Sequence, residues 1–374
     1  TNASHEKLID IEKDWSVSKM IKKGDNLYIG ENNDTYPTIN NSSNFTPIIS
    51  DSNGLIYVGD SSSVVSCYSK QGALLWNYTA SSPINSLALQ NGTLYIGVQH
   101  GAVIRIDASD GKFLSSVTVD NNYYVYAVTT DVNGSVYVGL SGVGTNSKNV
   151  FKYNSDLSSL IWSAEVAKGA NWISVDGNEN VYIADDNGYV DSLDSNGGLR
   201  WAKSVSSAAN GIATDASSNV YVASNSGVFK FDSNGNQLWE ENVSNLANYP
   251  NNIALQNNTQ TGTVDLFVIC GDTSSQTKSM FKLNSSTGAV INHVDAPSGY
   301  FPGSCVWVQN DRVYGTFGSH VLVYDFNLVT GDRYRIENYQ ISTLTYSGLL
   351  CNFDQTTSDN GGSPFYPNSV AVSA

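Results

Sequence analysis

The chain has 374 residues and a mass of 40.2 kDa, and 19 Lys and Arg stand against 34 Asp and Glu, a net charge of -15. This balance disfavours nucleic-acid binding, because so few basic residues do not form a phosphate-neutralising stripe. No stretch reaches the roughly 18 apolar residues of a membrane-spanning helix, so we expect no membrane span in this chain. Only 14% of residues are charged, which indicates a surface made soluble by Ser, Thr and Asn.

One short pattern recurs along the chain: an apolar residue, Tyr, a β-branched residue and a small residue. The copies are Leu27–Gly30, Ile56–Gly59, Leu94–Gly97, Val136–Gly139, Val181–Ala184 and Val220–Ala223, with looser copies at Leu266–Ile269 and Arg312–Gly315. A period near 40 residues with four strand-like runs per period is typical of a β-propeller blade.

A single repeat shows how its strands follow one another. Residues 84–118 contain four strand-like runs, separated by the turn signals Asn91-Gly92, His100-Gly101 and Asp110-Gly111. These dipeptides favour tight hairpins, so each repeat predicts four antiparallel strands. Four of the seven Trp share one phase, at the start of the fourth strand, where we expect them to pack between neighbouring blades: Trp76, Trp162, Trp201 and Trp239.

Eight copies of the pattern predict an all-β, single-domain propeller over 1–374 with eight four-stranded blades. The first copy precedes the second by only 29 residues, too few for a full blade, so seven blades is the alternative. Regular blades are expected over 48–348. The segments 1–47 and 349–374 would close the ring with strands from both termini, or be exchanged with a neighbouring molecule, which removes the open edge of the ring.

The copy Lys230–Trp239 resembles the pyrroloquinoline-quinone-type (PQQ-like) propeller repeat, and Gly211–Ala223 is similar to the related NHL repeats. The resemblance covers about residues 48–345 and implies a fold rather than a reaction. Quinoprotein dehydrogenases of this family carry an adjacent Cys-Cys pair, and some carry a Cys-x-x-Cys-His haem motif. The chain has neither, so we expect a non-enzymatic member without a cofactor.

Metal binding has one weak signal in the sequence. Asp176, Asn178 and Asn180 alternate as in the first half of a calcium loop, but the residues that should follow them are absent. The structural alternative is a hairpin turn in which the Asp and Asn side chains form hydrogen bonds with the backbone of the same turn.

Cysteines and sequons point to the outside of the cell. The four cysteines suggest one or two disulfides, with Cys270–Cys305 and Cys67–Cys351 as the pairs considered and buried free thiols as the alternative. Eleven Asn-x-Ser/Thr sequons are candidate glycosylation sites: Asn2, Asn33, Asn40, Asn41, Asn44, Asn77, Asn91, Asn133, Asn242, Asn257 and Asn284.

These features favour an extracellular or cell-surface propeller that works by binding or assembly. We expect a structural, adhesion, surface-layer or filament protein of a prokaryotic cell, with a protein, a glycan or further copies of itself as partners. Exposed Tyr in loops such as 122–126 suits such contacts. The alternative is a quinoprotein-like dehydrogenase or a glycan-active enzyme whose acidic groups converge in the central funnel. No residue is assigned a catalytic role.

Overall fold

The computed structural model describes residues 5–6, 21–22, 26–31, 39–40, 45–141, 147–166, 169–185, 187–242, 246, 250–258, 263–271, 279–295, 303–309, 312–317, 320–325, 328, 334–340 and 372–373. Contacts divide the chain into two units, which we describe separately. The larger unit is Pro37–Thr330. The smaller unit combines Thr1–Tyr36 with Gly331–Ala374.

The larger unit contains seven four-stranded antiparallel sheets, one per blade. Its first strand along the chain, β4 (Ile39–Asn40), belongs to the last blade. Blade one is β5 (Phe45–Ser50), β6 (Ile56–Asp60), β7 (Val64–Tyr68) and β8 (Leu74–Thr79). Blade two is β9 (Ile84–Gln90), β10 (Thr93–Val98), β11 (Ala102–Asp107) and β12 (Phe113–Thr118). Blade three is β13 (Tyr124–Thr130), β14 (Val136–Ser141), β15 (Val150–Tyr153) and β16 (Leu160–Ala164).

The remaining four blades repeat the same strand order. Blade four is β17 (Trp172–Val175), β18 (Val181–Ala184), β19 (Tyr189–Leu193) and β20 (Leu199–Ser204). Blade five is β21 (Ala209–Thr214), β22 (Val220–Ser224), β23 (Gly227–Phe231) and β24 (Gln237–Asn242). Blade six is β25 (Pro250–Asn258), β26 (Thr263–Cys270), β27 (Met280–Asn284) and β28 (Val290–Val294). Blade seven is β29 (Gly303–Gln309), β30 (Arg312–Phe317), β31 (His320–Asp325) and β4.

The sheets form a closed ring, because each inner strand contacts the next and β29 returns to β5. The ring closes on β4, where Asn40 pairs with His320 and Ile39 with Val321. The propeller fold is therefore confirmed, with seven blades, the smaller of the two counts that the sequence left open. A strand from the N-terminal part of the chain closes this ring.

The smaller unit holds the first copy of the repeat pattern. Its strands are β1 (His5–Glu6), β2 (Ile21–Lys22), β3 (Asn26–Glu31), β32 (Tyr334–Gln340) and β33 (Val372–Ser373). Strand β3 carries the Leu27–Gly30 copy and lies between β32 and β33. This first copy thus belongs to a three-stranded sheet of the smaller unit and to none of the seven blades, and β33 pairs with it within the same chain.

Burial follows the strand position within each blade. The second strands, which carry the repeated Tyr, are almost wholly buried, as in β6, β18 and β22. The outer strands β8, β12 and β16 begin with two exposed positions, and in β8 and β12 the following residues alternate between half-buried and exposed. The core consists of apolar layers between neighbouring blades, for example that of blades one and two around Tyr57, Ile84 and Leu94.

Candidate functional site: the axial channel, the turns and the outer strands

The inner strands of all seven blades line a channel of about 390 Å³ on the ring axis. That volume is in the range of small-molecule sites, about 300–1,000 Å³. Trp172 and Trp307 contribute indole rings to the lining, and Asn85, Ser174 and Thr214 contribute neutral polar groups. The described lining residues include no carboxylate, imidazole, guanidinium or ammonium group. The channel therefore presents a neutral surface to whatever enters it.

This lining does not fit the quinone that gives the repeat its name. Pyrroloquinoline quinone carries carboxylates, and buried carboxylates require cationic or hydrogen-bonding partners. The one titratable group in the described lining is the Cys305 thiol, and burial raises its pKa to about 11. The converging acids required by the enzymatic alternative are likewise not among the described lining residues.

One end of the inner strands carries a β-bulge with a recurring role. In blades two and five, the unpaired bulge residue is Asn85 or Asn210. Asn85 Nδ2 donates to the backbone oxygen of Val125 at 3.1 Å, and Asn210 Nδ2 donates to that of Pro250 at 2.9 Å. Each amide thereby ties its bulge to the start of the next inner strand. In blade three the bulge residue is Tyr126.

Tyr126 is exposed and stacks on Tyr124. The ring centroids lie 6.3 Å apart at 29° between planes, and the two side chains are 38% and 46% exposed. The sequence placed both residues in a loop, whereas they begin the inner strand β13. The expected exposure is confirmed for these two rings.

The candidate calcium residues form a turn between the first two strands of blade four. Asp176 Oδ1 accepts the backbone N–H groups of Asn178 and Asn180, both at 2.9 Å. Its Oδ2 accepts Asn180 Nδ2 at 2.9 Å and the Tyr182 hydroxyl at 3.0 Å. Burial tends to raise the pKa of Asp176, but these hydrogen bonds and one from Ser218 outweigh burial and lower it. A hairpin turn therefore accounts for the hydrogen bonds of both carboxylate oxygens of Asp176.

The same turn recurs in other blades, so its acids have a structural role. Asp131 and Asp215 each accept the hydroxyl of the repeat Tyr six residues later, at 3.0 Å. Desolvation and the neighbouring carboxylate raise the pKa of Tyr137 and Tyr221. Among the described residues, no group of three or more His, Cys, Asp and Glu is arranged to hold a metal ion.

The repeated Trp joins neighbouring blades. The indole Nε1 of Trp162, Trp201 and Trp239 donates to a turn carbonyl of the following blade at 2.9–3.1 Å, and each ring covers the glycine of that turn. In the same blade the ring packs on the repeat Tyr, with centroids 5.8 Å apart for Tyr182 and Trp201. The predicted packing role is confirmed for these residues.

Buried lysines form ion pairs at equivalent positions of the propeller blades. Lys152 Nζ lies 2.6 Å from Glu179 and 3.8 Å from Asp131, and 5.0 Å from the centre of the Tyr137 ring. Lys282 pairs with Asp265 at 2.8 Å. Both cations sit beside the aromatic ring of the second strand, so these charged groups belong to the scaffold.

Three cysteines are buried free thiols: Cys67, Cys270 and Cys305. The predicted pair Cys270–Cys305 is therefore not formed in this structure, whereas Cys67–Cys351 stays a prediction, because Cys351 lies outside the described residues. Cys270 packs in the layer between blades five and six. Cys305 belongs to blade seven and contacts Asn252 of blade six. The sheet of blade six thus separates the two sulfur atoms.

Five of the sequon asparagines have described, exposed side chains: Asn77, Asn91, Asn133, Asn242 and Asn284. Asn133 Nδ2 donates to Glu179 at 2.8 Å, and Asn284 Oδ1 accepts two backbone N–H groups in its turn. Asn77 and Asn242 lie on the outer strands β8 and β24. Asn40 and Asn257 lie in strands, but their side chains are outside the described residues, as are Asn2, Asn33, Asn41 and Asn44 entirely.

The outer strands carry an apolar belt, which we define as the exposed apolar residues at their first two positions. These residues are 37–64% exposed: Leu74, Leu75, Phe113, Leu114, Leu160, Ile161, Leu199, Leu238, Val290 and Ile291. From the sequence alone, these residues stood out only as the ones that precede the repeated Trp, and their exposure was not predicted. No helix within the described parts of the chain has the length and apolarity to cross a membrane.

A family model described as outer membrane protein assembly factor BamB matches residues 15–171 and 148–299. Among solved structures, the computationally designed Ika8 protein superposes with a TM-score of 0.57 at 14% identity, covering 76% of this chain and 97% of that one. At that identity the likeness concerns the fold alone. No curated protein matches the chain. Because the family model covers more than half of the sequence, the chain belongs to the PQQ-type β-propeller family.

Proposed function

We propose that this propeller is an extracellular structural protein that assembles with further copies of itself through the apolar belt. The observation that carries the proposal is the recurrence of this belt on six successive blades. Monomeric soluble proteins rarely expose a large apolar surface, and such patches mark interaction sites. An outer strand is also a sheet edge, whose unpaired N–H and C=O groups favour pairing with another chain.

Charge supports self-association over capture of a charged partner. Both first positions of the outer strand are apolar in blades one, two, three and six, whereas blades four and five have one apolar residue each, beside Arg200 and Gln237. The described acids of the turns are held by hydrogen bonds within their own blades. A repeated apolar surface on a ring is complementary to the same surface on another ring.

Glycans on the outer strands would limit which blades take part. Side chains two apart on a strand share a face, so Asn77 lies on the face of Leu75, and Asn242 on that of Leu238. Sugars at these two residues would cover the neighbouring belt positions of blades one and five. Blades two, three and four have belt residues but no described sequon on their outer strands.

The test is Leu114→Asp, measured by sedimentation velocity of the glycosylated protein. Leu114 is 45% exposed on β12, so a charge there should leave the fold intact and weaken the apolar contact. We expect a shift of the sedimentation profile toward the monomer.

Thr118→Asp is the matched control, since Thr118 is an exposed polar residue on the same face of the same strand. It adds the same charge outside the belt and should leave the sedimentation profile unchanged. An unaltered profile for Leu114→Asp, or equal shifts for both variants, would contradict assembly through the belt.

A further inference from the structure

Blade three differs from blades two and five at the bulge of its inner strand. In blades two and five, the bulge Asn holds the following blade through its side-chain amide. Tyr126 occupies the same position but, among the described residues, makes no hydrogen bond and contacts the ring of Tyr124. A bracing amide is thus replaced by an exposed aromatic ring, which costs packing and exposes apolar area. The exposed Tyr126 ring, unlike the bracing amides of Asn85 and Asn210, is available to a ligand.

The departure lies at the end of the channel where Asn85 joins the lining. Asn85, the equivalent of Tyr126 in blade two, lines the channel. Tyr126 and its stacking partner Tyr124 therefore lie at the same end of the inner strands in blade three, beyond the lining residue Val128, and we call this end the mouth. Trp172 and Trp307 are further aromatic residues of the channel lining. The site combines aromatic side chains with neutral amide and hydroxyl groups.

We propose that the channel and its Tyr124–Tyr126 mouth bind a neutral carbohydrate. A pyranose ring has a face of C–H groups and a rim of hydroxyls. The C–H face packs on the electron-rich faces of Tyr and Trp. The sugar hydroxyls donate to Asn85 Oδ1 and Ser174 Oγ, which keep acceptor capacity beside their bonds to Val125 and Thr214. A charged ligand finds no opposite charge among the described lining residues. This proposal uses a different surface from the apolar belt and stands independently of assembly.

A panel of neutral trisaccharides tests the proposal: maltotriose, mannotriose, galactotriose and chitotriose, each titrated by ligand-detected NMR up to about 10 mM. An open site with two stacking rings should bind at least one of them with a Kd of about 1 mM. Trigalacturonate, with three carboxylates, should bind more weakly. Binding of none of the neutral sugars, or preference for trigalacturonate, would overturn the proposal. So would binding of a proline-rich peptide at this mouth in place of the sugars.

Tyr126→Asn is the informative variant, because it installs the residue that blades two and five use at this position. We expect about a tenfold rise in Kd with an unchanged or higher Tm. A fall in Tm with unchanged affinity would show that Tyr126 is structural. Tyr189→Ser is the control, since Tyr189 is a 44% exposed tyrosine of blade four outside the pair, and its loss should leave Kd unchanged.

A further experiment identifies the source of the sugar. If the ligand is the glycan of a neighbouring copy, the best trisaccharide should disperse assemblies of the native protein. If it is a separate polysaccharide, the assemblies should persist while the trisaccharide still binds.

Discussion

The contact between Trp201 and Gly235 allows a quantitative prediction. Gly235 has a φ of +80°, and a Cβ placed on it would lie 2.8 Å from Cδ2 of the Trp201 ring in the preceding blade. Gly235→Ala therefore combines a left-handed backbone, about 1–2 kcal/mol, with overpacking, about 1–3 kcal/mol. We expect the free energy of unfolding to fall by about 2–5 kcal/mol.

Gly92→Ala separates the two contributions. Gly92 has a φ of +73°, and a Cβ on it would meet nothing within 4 Å, so only the backbone cost of about 1–2 kcal/mol applies. Thermal melts followed by circular dichroism compare the variants. An unfolding entropy of about 2.1 cal/mol/K per residue makes 1 kcal/mol correspond to about 1.3 °C in a chain of 374 residues. Gly235→Ala should therefore melt about 1–4 °C below Gly92→Ala.

A second background gives the refuting result. In Trp201→Ala the ring that Gly235 meets is gone, so the added methyl group should cost no more than it does at Gly92. If Gly235→Ala costs as much without the indole as with it, the ring contact between blades is not the reason for this glycine.

Two further outcomes concern titratable groups of the ring. Asp176→Asn should lower Tm by an amount equivalent to about 1–3 kcal/mol, because Asp176 accepts four hydrogen bonds. The native pKa of Asp176 is lowered, so the carboxylate stabilises the fold above its unfolded pKa of about 3.9, and this stabilisation is lost as pH falls through the native value. Asp176→Asn should therefore flatten the acid side of a plot of Tm against pH. An acid side unchanged by the substitution would contradict this. Burial, with a contribution from Asp51, raises the pKa of Cys67 to about 12, whereas an unfolded thiol titrates near 8.5. The contribution of the protonated Cys67 thiol to the stability of the fold is therefore full below about pH 8.5 and declines as pH rises toward the native pKa. Cys67 should react with a thiol reagent at pH 8 only after denaturation. Rapid modification of the native protein would refute its burial.

The repeat pattern was sufficient to predict the blades because each blade satisfies its strand and turn preferences locally. Alternating residues, Asn-Gly or Asp-Gly turns and a buried Tyr recur within about 40 residues, and the structure builds a blade from each of seven copies. The copy at Leu27–Gly30 has the same local pattern but pairs with β32 and β33. Strand pairing depends on distant partners, so local pattern alone left the blade count open.

The site could be predicted less well, because its features depend on register and on contacts between blades. The Gly-x-x-x-Trp spacing links residues of one repeat, whereas Trp201 packs on Gly235 of the next. The bulge that makes Tyr126 equivalent to Asn85 appears only when the strands are paired. The pairing of Cys270 with Cys305 was inferred from a separation of one blade, but their side chains lie on opposite sides of blade six.

The most direct test of the proposed function is the mass and assembly state of the protein purified from its native source, by intact mass spectrometry, glycopeptide mapping and negative-stain imaging. The account predicts a mass above 40.2 kDa, sugar on Asn77 and Asn242, and regular assemblies larger than one ring. A bare monomer at the sequence mass would contradict both glycosylation and assembly.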